Sequence, residues 1–483
     1  MPALKDLLPS DIIISVKGVI DREIGKICFD SRKVESGDVY VATRGFTVDG
    51  HDFIDSSIEK GASAVICEEY PESINEGVAY ILVTNAREAL GHAANAYYNY
   101  PSKQLKLIGV TGTNGKTTTA TLAFNLAREM GLSTGLLSTV ANKVNDDTIP
   151  STHTTGDAIQ ICSLMAEMVA AGCSHCFMEV TSHAMDQHRT KGLEFDVAVF
   201  TNFTQDHLDY HLTMESYAAA KKKFFDGLSD GAVAILNSDD RKSDYMVQDT
   251  KAKVITYGSK GEPDFRIEQI ATSPEGTKYQ LNQNVVSSVL QGDFNAFNLS
   301  AAILSLSESN LDIKDAISAA KQINPVPGRL QTIPNRADIV GIVDFAHTPD
   351  ALETILNTVR RSMPATSALI CVVGCGGDRD KDKRPMMASI ASRLAETVVF
   401  TSDNPRSEDA LQIIEDMKSG VPSSENYIVE ADRKCAIKMA VDGAKSGDYV
   451  VVAGKGHEKF QEIDGVKHPF DDADVLSRAL KDK

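Results

Sequence analysis

Between the apolar run Leu107-Ile-Gly-Val110 and a helical pattern lies Thr111-Gly112-Thr113-Asn114-Gly115-Lys116-Thr117-Thr118. Its glycines let backbone N–H groups wrap phosphate oxygens, and the following helix start adds positive potential. Lys116 is placed to reach terminal phosphates and the Thr117 hydroxyl to ligate Mg2+. The spacing is not the strict GxxxxGK[ST], because Val110 stands five positions before Gly115. Downstream, Glu179 ends the apolar run Cys176-Phe-Met-Glu-Val. A carboxylate at a strand end beside a phosphate loop suits Mg2+, or else serves as a solvated or capping residue. Asp206, His207, Asp209 and His211 place two His and two Asp within six residues, and Lys221 opens a run of three lysines. Such a run is ordinarily a solvated helix face, and Lys222 and Lys223 are assigned to solvent.

The pattern suits nucleotide-dependent chemistry: phosphate-binding N–H groups, candidate Mg2+ ligands and cations, with no obligatory Ser or Cys nucleophile.

The loop's compact form resembles the Mur ligases and their relatives, the folylpolyglutamate synthetases. Met178-Glu179-Val180-Thr181-Ser182-His183, Gln187-His188-Arg189, the run Asn202 to His211, and Tyr217-Ala-Ala-Ala-Lys221 resemble that family's central domain. Asp344-Phe345-Ala346-His347-Thr348-Pro349-Asp350, Gly374 to Asp380, Asp403-Asn404-Pro405-Arg406 and Gly454-Lys-Gly-His-Glu458 resemble its C-terminal domain. The motifs cover essentially the whole chain. They match the branch that adds the third residue of the peptidoglycan stem peptide, which implies UDP-N-acetylmuramoyl-L-alanyl-D-glutamate and meso-diaminopimelate as substrates, with ATP and Mg2+. The lysine-adding version and a folylpolyglutamate-type ligase are the alternatives; the extra N-terminal hundred residues and Asp-Asn-Pro-Arg stand against the latter. A nucleotide-switched binding protein, the third reading, needs no second-metal constellation.

The resemblance implies roles residue by residue. Gly112, Thr113, Asn114, Gly115, Lys116, Thr117 and Thr118 hold the phosphates, with Asn295 and Asn298 near the base and Asp344 and His347 as nucleotide-side contacts. Phe345 stands where the family usually has Tyr. Thr117, Glu179, His207 and Lys221 are the metal ligands, Lys221 through N-carboxylation to a carbamate; Lys116, Lys221, His207 and Glu179 are the catalytic set. Ser31, within Asp30-Ser31-Arg32-Lys33, and Arg44-Gly45 resemble uridine and diphosphate loops. Thr154, Thr155, Thr181, Gln187 and Arg189 resemble central-domain substrate contacts. Arg379, Asp403, Asn404, Arg406, Gly454 and Glu458 form the amino-acid pocket, in which Arg406 and Asn404 hold diaminopimelate and Glu458 faces its distal ammonium. Arg suits a distal carboxylate because its planar fork bonds bidentately.

The elements that must position these residues read as α/β layers, because short apolar runs alternate with helical patterns almost throughout. Asp-Val-Tyr-Val-Ala-Thr, Ala-Val-Ile-Cys and Ala-Tyr-Ile-Leu-Val-Thr are strands of a first unit, and Leu122, Leu126 and Met130 line one face of the helix after the phosphate loop, stopped by Gly131. Breaks at Pro101 and at Pro325, Pro327 and Gly328 divide the chain into 1–101 for the UDP-sugar, 102–327 for ATP and 328–483 for the amino acid. By resemblance the central unit is a P-loop-type mononucleotide-binding parallel sheet, and the C-terminal unit is Rossmann-like.

At 483 residues the chain is about three typical domains long. The 49 Lys+Arg against 67 Asp+Glu leave a net charge of -18. That field repels phosphate backbones and anionic membranes, so neither nucleic-acid binding nor membrane insertion is expected. No apolar run approaches spanning length and no leader pattern opens the chain, so a cytoplasmic monomer is expected. The eight cysteines are expected as reduced, buried thiols, and Cys173 and Cys176, whose nearest pair is the distant Cys371 and Cys375, as no zinc site.

Overall fold

The computed structural model describes all residues except 1–2, 46–47, 152, 274 and 423–426. The described strands form sheets of five, eleven and six strands and a two-stranded hairpin. Continuous apolar runs become parallel strands covered on both faces, as α/β packing requires.

In the first sheet, Ile27–Cys28, Val39–Val41, Ala64–Cys67 and Ala79–Val83 run parallel, and Ile13–Lys17 closes one edge antiparallel. The helix Ala86–Tyr97 starts at Asn85, whose side chain accepts from the Arg87 and Glu88 amides. Its small residues Ala89, Ala93 and Ala94 let it pack closely, in one core with Ala158 and Cys162 of the next unit. A Cβ at Gly91 would lie 2.7 Å from the Lys191 carbonyl.

The central sheet holds the phosphate-loop strand Lys106–Thr111 between His175–Glu179 and Val197–Phe200, both parallel to it. Helices Lys116–Glu129 and Asp293–Ser307 share a core on one face with Ile108, Val110, Phe177 and Val199. Both edges carry antiparallel additions, Phe265–Ser273 with Gly276–Leu281 and Asn284–Ser288, and Asn142–Val144 with Asp147–Ile149.

The third sheet orders Gln331–Ile333, Val340–Asp344, Tyr449–Ala453, Leu369–Val373, Thr397–Phe400 and Tyr427–Val429, parallel except for the first. Asp344, Gly374, the 401–406 loop and Gly454 all emerge at the carboxyl ends of these strands, where α/β ligands bind. Below that edge Arg433 and Asp472, both fully buried, pair at 2.7 Å, and Arg433 also donates to the Ala453 carbonyl at 2.9 Å.

Two expectations are corrected. Lys222 is buried rather than solvated, pairing with Asp226 at 2.6 Å and with Asp249, while Lys223 reaches Asp186 at 3.1 Å. All eight cysteines are free, but Cys435 is exposed and Cys28 only half-buried. No helix among the described residues is long and apolar enough to cross a membrane.

Candidate active site

The phosphate loop turns on two glycines that no other residue replaces. Gly112 has φ +145° and Gly115 φ +86°; a Cβ would meet Thr201 Oγ1 at 1.9 Å in the first case and Asn298 Oδ1 at 2.5 Å in the second. Thr201 and Asn202 brace the loop from the neighbouring strand end: Thr201 Oγ1 and Asn202 Nδ2 both donate to the Asn114 carbonyl, at 2.6 and 3.0 Å.

Lys116 Nζ donates to the carbonyls of Gly112 and Thr113 at 3.0 and 2.8 Å, and Lys221 Nζ donates to the same Gly112 carbonyl at 2.6 Å. Burial lowers the pKa of both, and for Lys221 the neighbouring Lys116 charge adds to the effect. Thr117 Oγ1 donates to Glu179 Oε2 at 2.8 Å, and Thr139 donates to Glu179 Oε1 through its amide and hydroxyl at 2.7 and 3.0 Å. His207 lies beside Asp206 at 3.4 Å, and burial pushes its pKa down. Asp206 is pushed up by burial, but His207, His347, Lys383 and Lys116 outweigh that and hold it below the usual carboxylate range.

A cavity of about 670 Å³ opens over these groups. Its walls include Thr113 through Thr118, Thr154, Glu179, Thr181, His207, Asn298, Asp344 and His347. From the C-terminal unit they add Arg379, Asp403, Asn404, Arg406, Gly454 and Glu458. Two sets forecast from separate motifs therefore face one space. Gly112 and Lys221 lie behind the loop rather than on the wall, and Asn295 also falls outside it, its amide donating to the Gln291 carbonyl at 2.7 Å and its Oδ1 accepting from Asn298 at 3.2 Å. Asp344 is turned inward: it accepts from the Leu330 and Ala346 amides at 2.6 and 2.7 Å, and burial raises its pKa.

Thr155, Gln187 and Arg189 stand just beyond the wall in a connected network. Thr155 Oγ1 donates to the Glu179 carbonyl at 2.8 Å and contacts Thr181 Oγ1 at 3.2 Å; Arg189 donates to the Thr155 carbonyl and Gln187 Oε1, both at 2.7 Å. Ser31 begins a helical turn in the first unit, capped by Asp30, and its carbonyl accepts from Lys60 at 2.8 Å. It does not line the cavity. Arg44 is engaged by Glu68 at 3.0 Å and by Glu69.

At the far end Asn404 is held from both sides: its amide donates to Glu458 Oε2 at 2.8 Å, and its Oδ1 accepts from Lys455 at 2.8 Å. Lys455 also pairs with Glu458 Oε2 at 2.9 Å, so that carboxylate is already partly neutralised. Arg406 takes left-handed backbone, φ +53°, and donates to the Gly377 carbonyl at 2.6 Å. A Cβ at Gly454, where φ is +118°, would fall 2.5 Å from Asp403 Oδ2.

Sequence reasoning missed several wall residues. Arg329 sits in the run read only as a Pro/Gly linker, yet its guanidinium donates to Thr117 Oγ1 at 3.0 Å and lies 4.4 Å from the Phe345 ring centroid. Asp350 accepts from the Asn114 amide at 2.9 Å, tying the phosphate loop to the helix Pro349–Ser362. Phe294, Phe297, Asn237 and Tyr257 form a mixed aromatic and polar recess beside Asn298. The phenylalanines were visible in the Asn295 motif; nothing in the spacing distinguished them from core residues.

Comparison with known proteins adds an independent line. Residues 23–98 match the Mur ligase family catalytic domain, 110–306 the Mur ligase middle domain and 328–456 the Mur ligase glutamate ligase domain. A UDP-N-acetylmuramoyl-L-alanyl-D-glutamate–2,6-diaminopimelate ligase of Cytophaga hutchinsonii is 46% identical over 480 residues, covering 99% of each chain. One of Parabacteroides distasonis, with the same name, is 45% identical over 475 residues and 98% of each. A solved structure bearing that name superposes with TM-score 0.70 at 33% identity, covering 99% of this chain and 98% of that one. The ADP complex of the ligase MurF from Thermotoga maritima, at 19% identity and TM-score 0.63, shares the fold. With its domains matched in chain order and relatives aligned from end to end, the chain belongs to the Mur ligase family.

Proposed function

We propose that the protein is the ATP-dependent ligase that joins meso-diaminopimelate to UDP-N-acetylmuramoyl-L-alanyl-D-glutamate in peptidoglycan precursor synthesis. The observation that carries the reading is the single cavity with the phosphate loop on one wall and Arg379, Asn404, Arg406 and Glu458 on the other. The substrate carboxylate oxygen bonds to the terminal phosphorus of ATP as the bridging P–O bond breaks toward ADP. The amine nitrogen then bonds to the acyl carbon, phosphate leaves with the C–O electron pair, and the amine releases a proton. The protein makes no covalent bond to either reactant, so catalysis is positioning and charge neutralisation.

Lys116 exchanges its bonds to loop carbonyls for phosphate oxygens, and Arg329 brings a second cation across from the C-terminal unit. Thr154, Thr155, Thr181, Gln187 and Arg189 bind the UDP-sugar peptide between the first and central units, with Ser31 contributing from the first. Asn298, with Asn295 behind it, and the Phe294–Phe297 recess take the base, while His347 and Asp344 order the nucleotide side.

Thr117 and Glu179 suit Mg2+. Thr117 and Glu179 already share a hydrogen bond, giving the hydroxyl and carboxylate that Mg2+ takes alongside phosphates and water. Among the described residues no three His, Cys, Asp or Glu side chains cluster for a metal. A second ion beside His207 would take its oxygen donor from a carbamate on Lys221, the role the family resemblance gives that lysine. Lys221 is fully buried, and burial together with the Lys116 charge lowers its pKa toward the free amine that captures CO2 as a carbamate. Bound there, Mg2+ supplies charge neutralisation at the transferred phosphoryl group.

Diaminopimelate rather than lysine follows from Arg406 and Arg379 on the wall, cations that a lysine site has no use for. The test is ATP-dependent ligation of UDP-muramoyl-dipeptide against a panel of amino acids with mass detection. Diaminopimelate should be taken in direct competition with lysine. Equal use of both would overturn the specificity, and absence of any ligated product the activity.

A further inference from the structure

The two-stranded hairpin of the C-terminal unit, Phe460–Ile463 and Val466–Pro469, turns through Asp464 and Gly465, whose φ of +49° and +75° suit a tight two-residue turn. None of its residues is buried, and none joins the hydrophobic cores of this unit. Gln461, Ile463 and Phe470 border a second hollow rather than a packed layer. Apolar packing therefore does not explain where the hairpin sits.

Hydrogen bonds to the loop Asp403-Asn404-Pro405-Arg406 do. The Arg406 amide donates to the Glu462 carbonyl at 3.0 Å and the Asp464 amide to the Arg406 carbonyl at 2.7 Å, so both main-chain groups of Arg406 are tied to the hairpin. The Glu462 amide donates to Asn404 Oδ1 at 2.9 Å. Left-handed backbone at an arginine persists only where its surroundings enforce it, and these bonds supply the enforcement. They come from main chain, which any sequence offers, and the Glu462 carboxylate stands 3.7 Å from Arg406 Nε, beyond hydrogen-bond reach. Gln461 is different: its Nε2 donates to Ser402 Oγ at 2.8 Å and to the Asp403 carbonyl at 2.7 Å. That side chain distinguishes this register of hairpin on loop from its neighbours.

We infer that Gln461 is a positioning residue for the amino-acid pocket: by holding the hairpin in register against residues 402–406 it fixes where Asn404 and Arg406 meet the substrate, and through Arg406 it sets the preference for diaminopimelate over lysine. This rests on the ligase reading above. Gln461 does not line the catalytic cavity, whereas Asn404 and Arg406 do, so its effect passes through the loop. Arg406 Nη1 is already held by the Gly377 carbonyl, which leaves the guanidinium little freedom to follow a carboxylate if its backbone shifts. A small displacement of the loop therefore takes the cation away from the distal carboxylate.

The test compares Gln461→Met, close in volume but without the amide donor, with wild type in steady-state ligation, each substrate varied in turn. The KM for diaminopimelate should rise about tenfold, while those for ATP and UDP-muramoyl-dipeptide stay within about twofold and kcat within about threefold. In direct competition the preference for diaminopimelate over lysine should fall about tenfold, since lysine has no distal carboxylate for Arg406 to hold. In the Arg406→Ala background the same substitution should change the KM for diaminopimelate by less than about threefold, because the group it positions is gone. Three results overturn the inference: an unchanged KM for diaminopimelate, an equal loss for all three substrates, or a tenfold effect that persists without Arg406. Wild-type protein that forms no ligated product overturns the ligase reading and this inference together, whereas an active wild type that Gln461→Met matches in KM and in preference overturns this inference alone.

Discussion

The Gly112 carbonyl accepts from Lys116 and Lys221 at once, so the lysine of the phosphate loop rests on its own backbone. Lys116→Ala should cost about 3 kcal/mol of transition-state stabilisation, roughly a hundredfold in kcat/KM, because phosphate charge is left unmatched. Lys221→Ala should be inactive and partly rescued by a short-chain carboxylate, which supplies the oxygens the carbamate would have carried; rescue assays with formate and acetate check this. Arg406→Ala should raise the KM for diaminopimelate sharply and leave that for ATP nearly unchanged, as read by varying each substrate in turn. The phosphate loop, Glu179 and Arg406 could be picked from sequence because residue type and spacing recur together in their motifs, and the structure sets them on one cavity. Arg329 was not: a lone cation in a Pro-rich turn has no spacing to betray it, and only folding across to Thr117 gives it a role.

Elements carry the motifs to one edge, and buried ion pairs hold that edge. Arg433 joins Asp472 to the Ala453 and Ser402 carbonyls, beneath the loops bearing Gly454 and Asp403. Arg433→Met should destabilise the protein by about 3–5 kcal/mol, since Asp472 is left buried and uncompensated, and removing both charges should restore part of that; urea unfolding measures it. Glu408 is held down to about 2 by its bond to Arg384, below the usual 4.5. Its stabilising contribution is complete above pH 4.5 and lost as the pH falls through about 2, so Glu408→Gln should flatten acid unfolding in that window, followed by circular dichroism. Parallel strands were readable as unbroken apolar runs. The meander Phe265–Ser273, Gly276–Leu281 and Asn284–Ser288 was not, because one solvated face dilutes the run with Arg, Glu, Gln and Lys.

At the scale of the molecule, the central and C-terminal units meet through Arg329 and Thr117, Asn114 and Asp350, Gln205 and Asp380 at 3.3 Å, and Arg361 and Asp293 at 2.7 Å. This arrangement was only partly legible: breaks at proline suggested where units change, but which faces close on each other depends on pairs far apart in the chain. The last of those pairs is also the most open to solvent, with side chains 63% and 40% exposed. Dissolved salt screens such a pair over about 8 Å at physiological ionic strength, while the buried contacts around the phosphate loop are spared. The seam therefore loosens from its rim inward as electrolyte rises. Turnover at saturating substrates should therefore fall modestly as salt is added, and Arg361→Ala should remove part of that dependence, as read from kcat across a salt series.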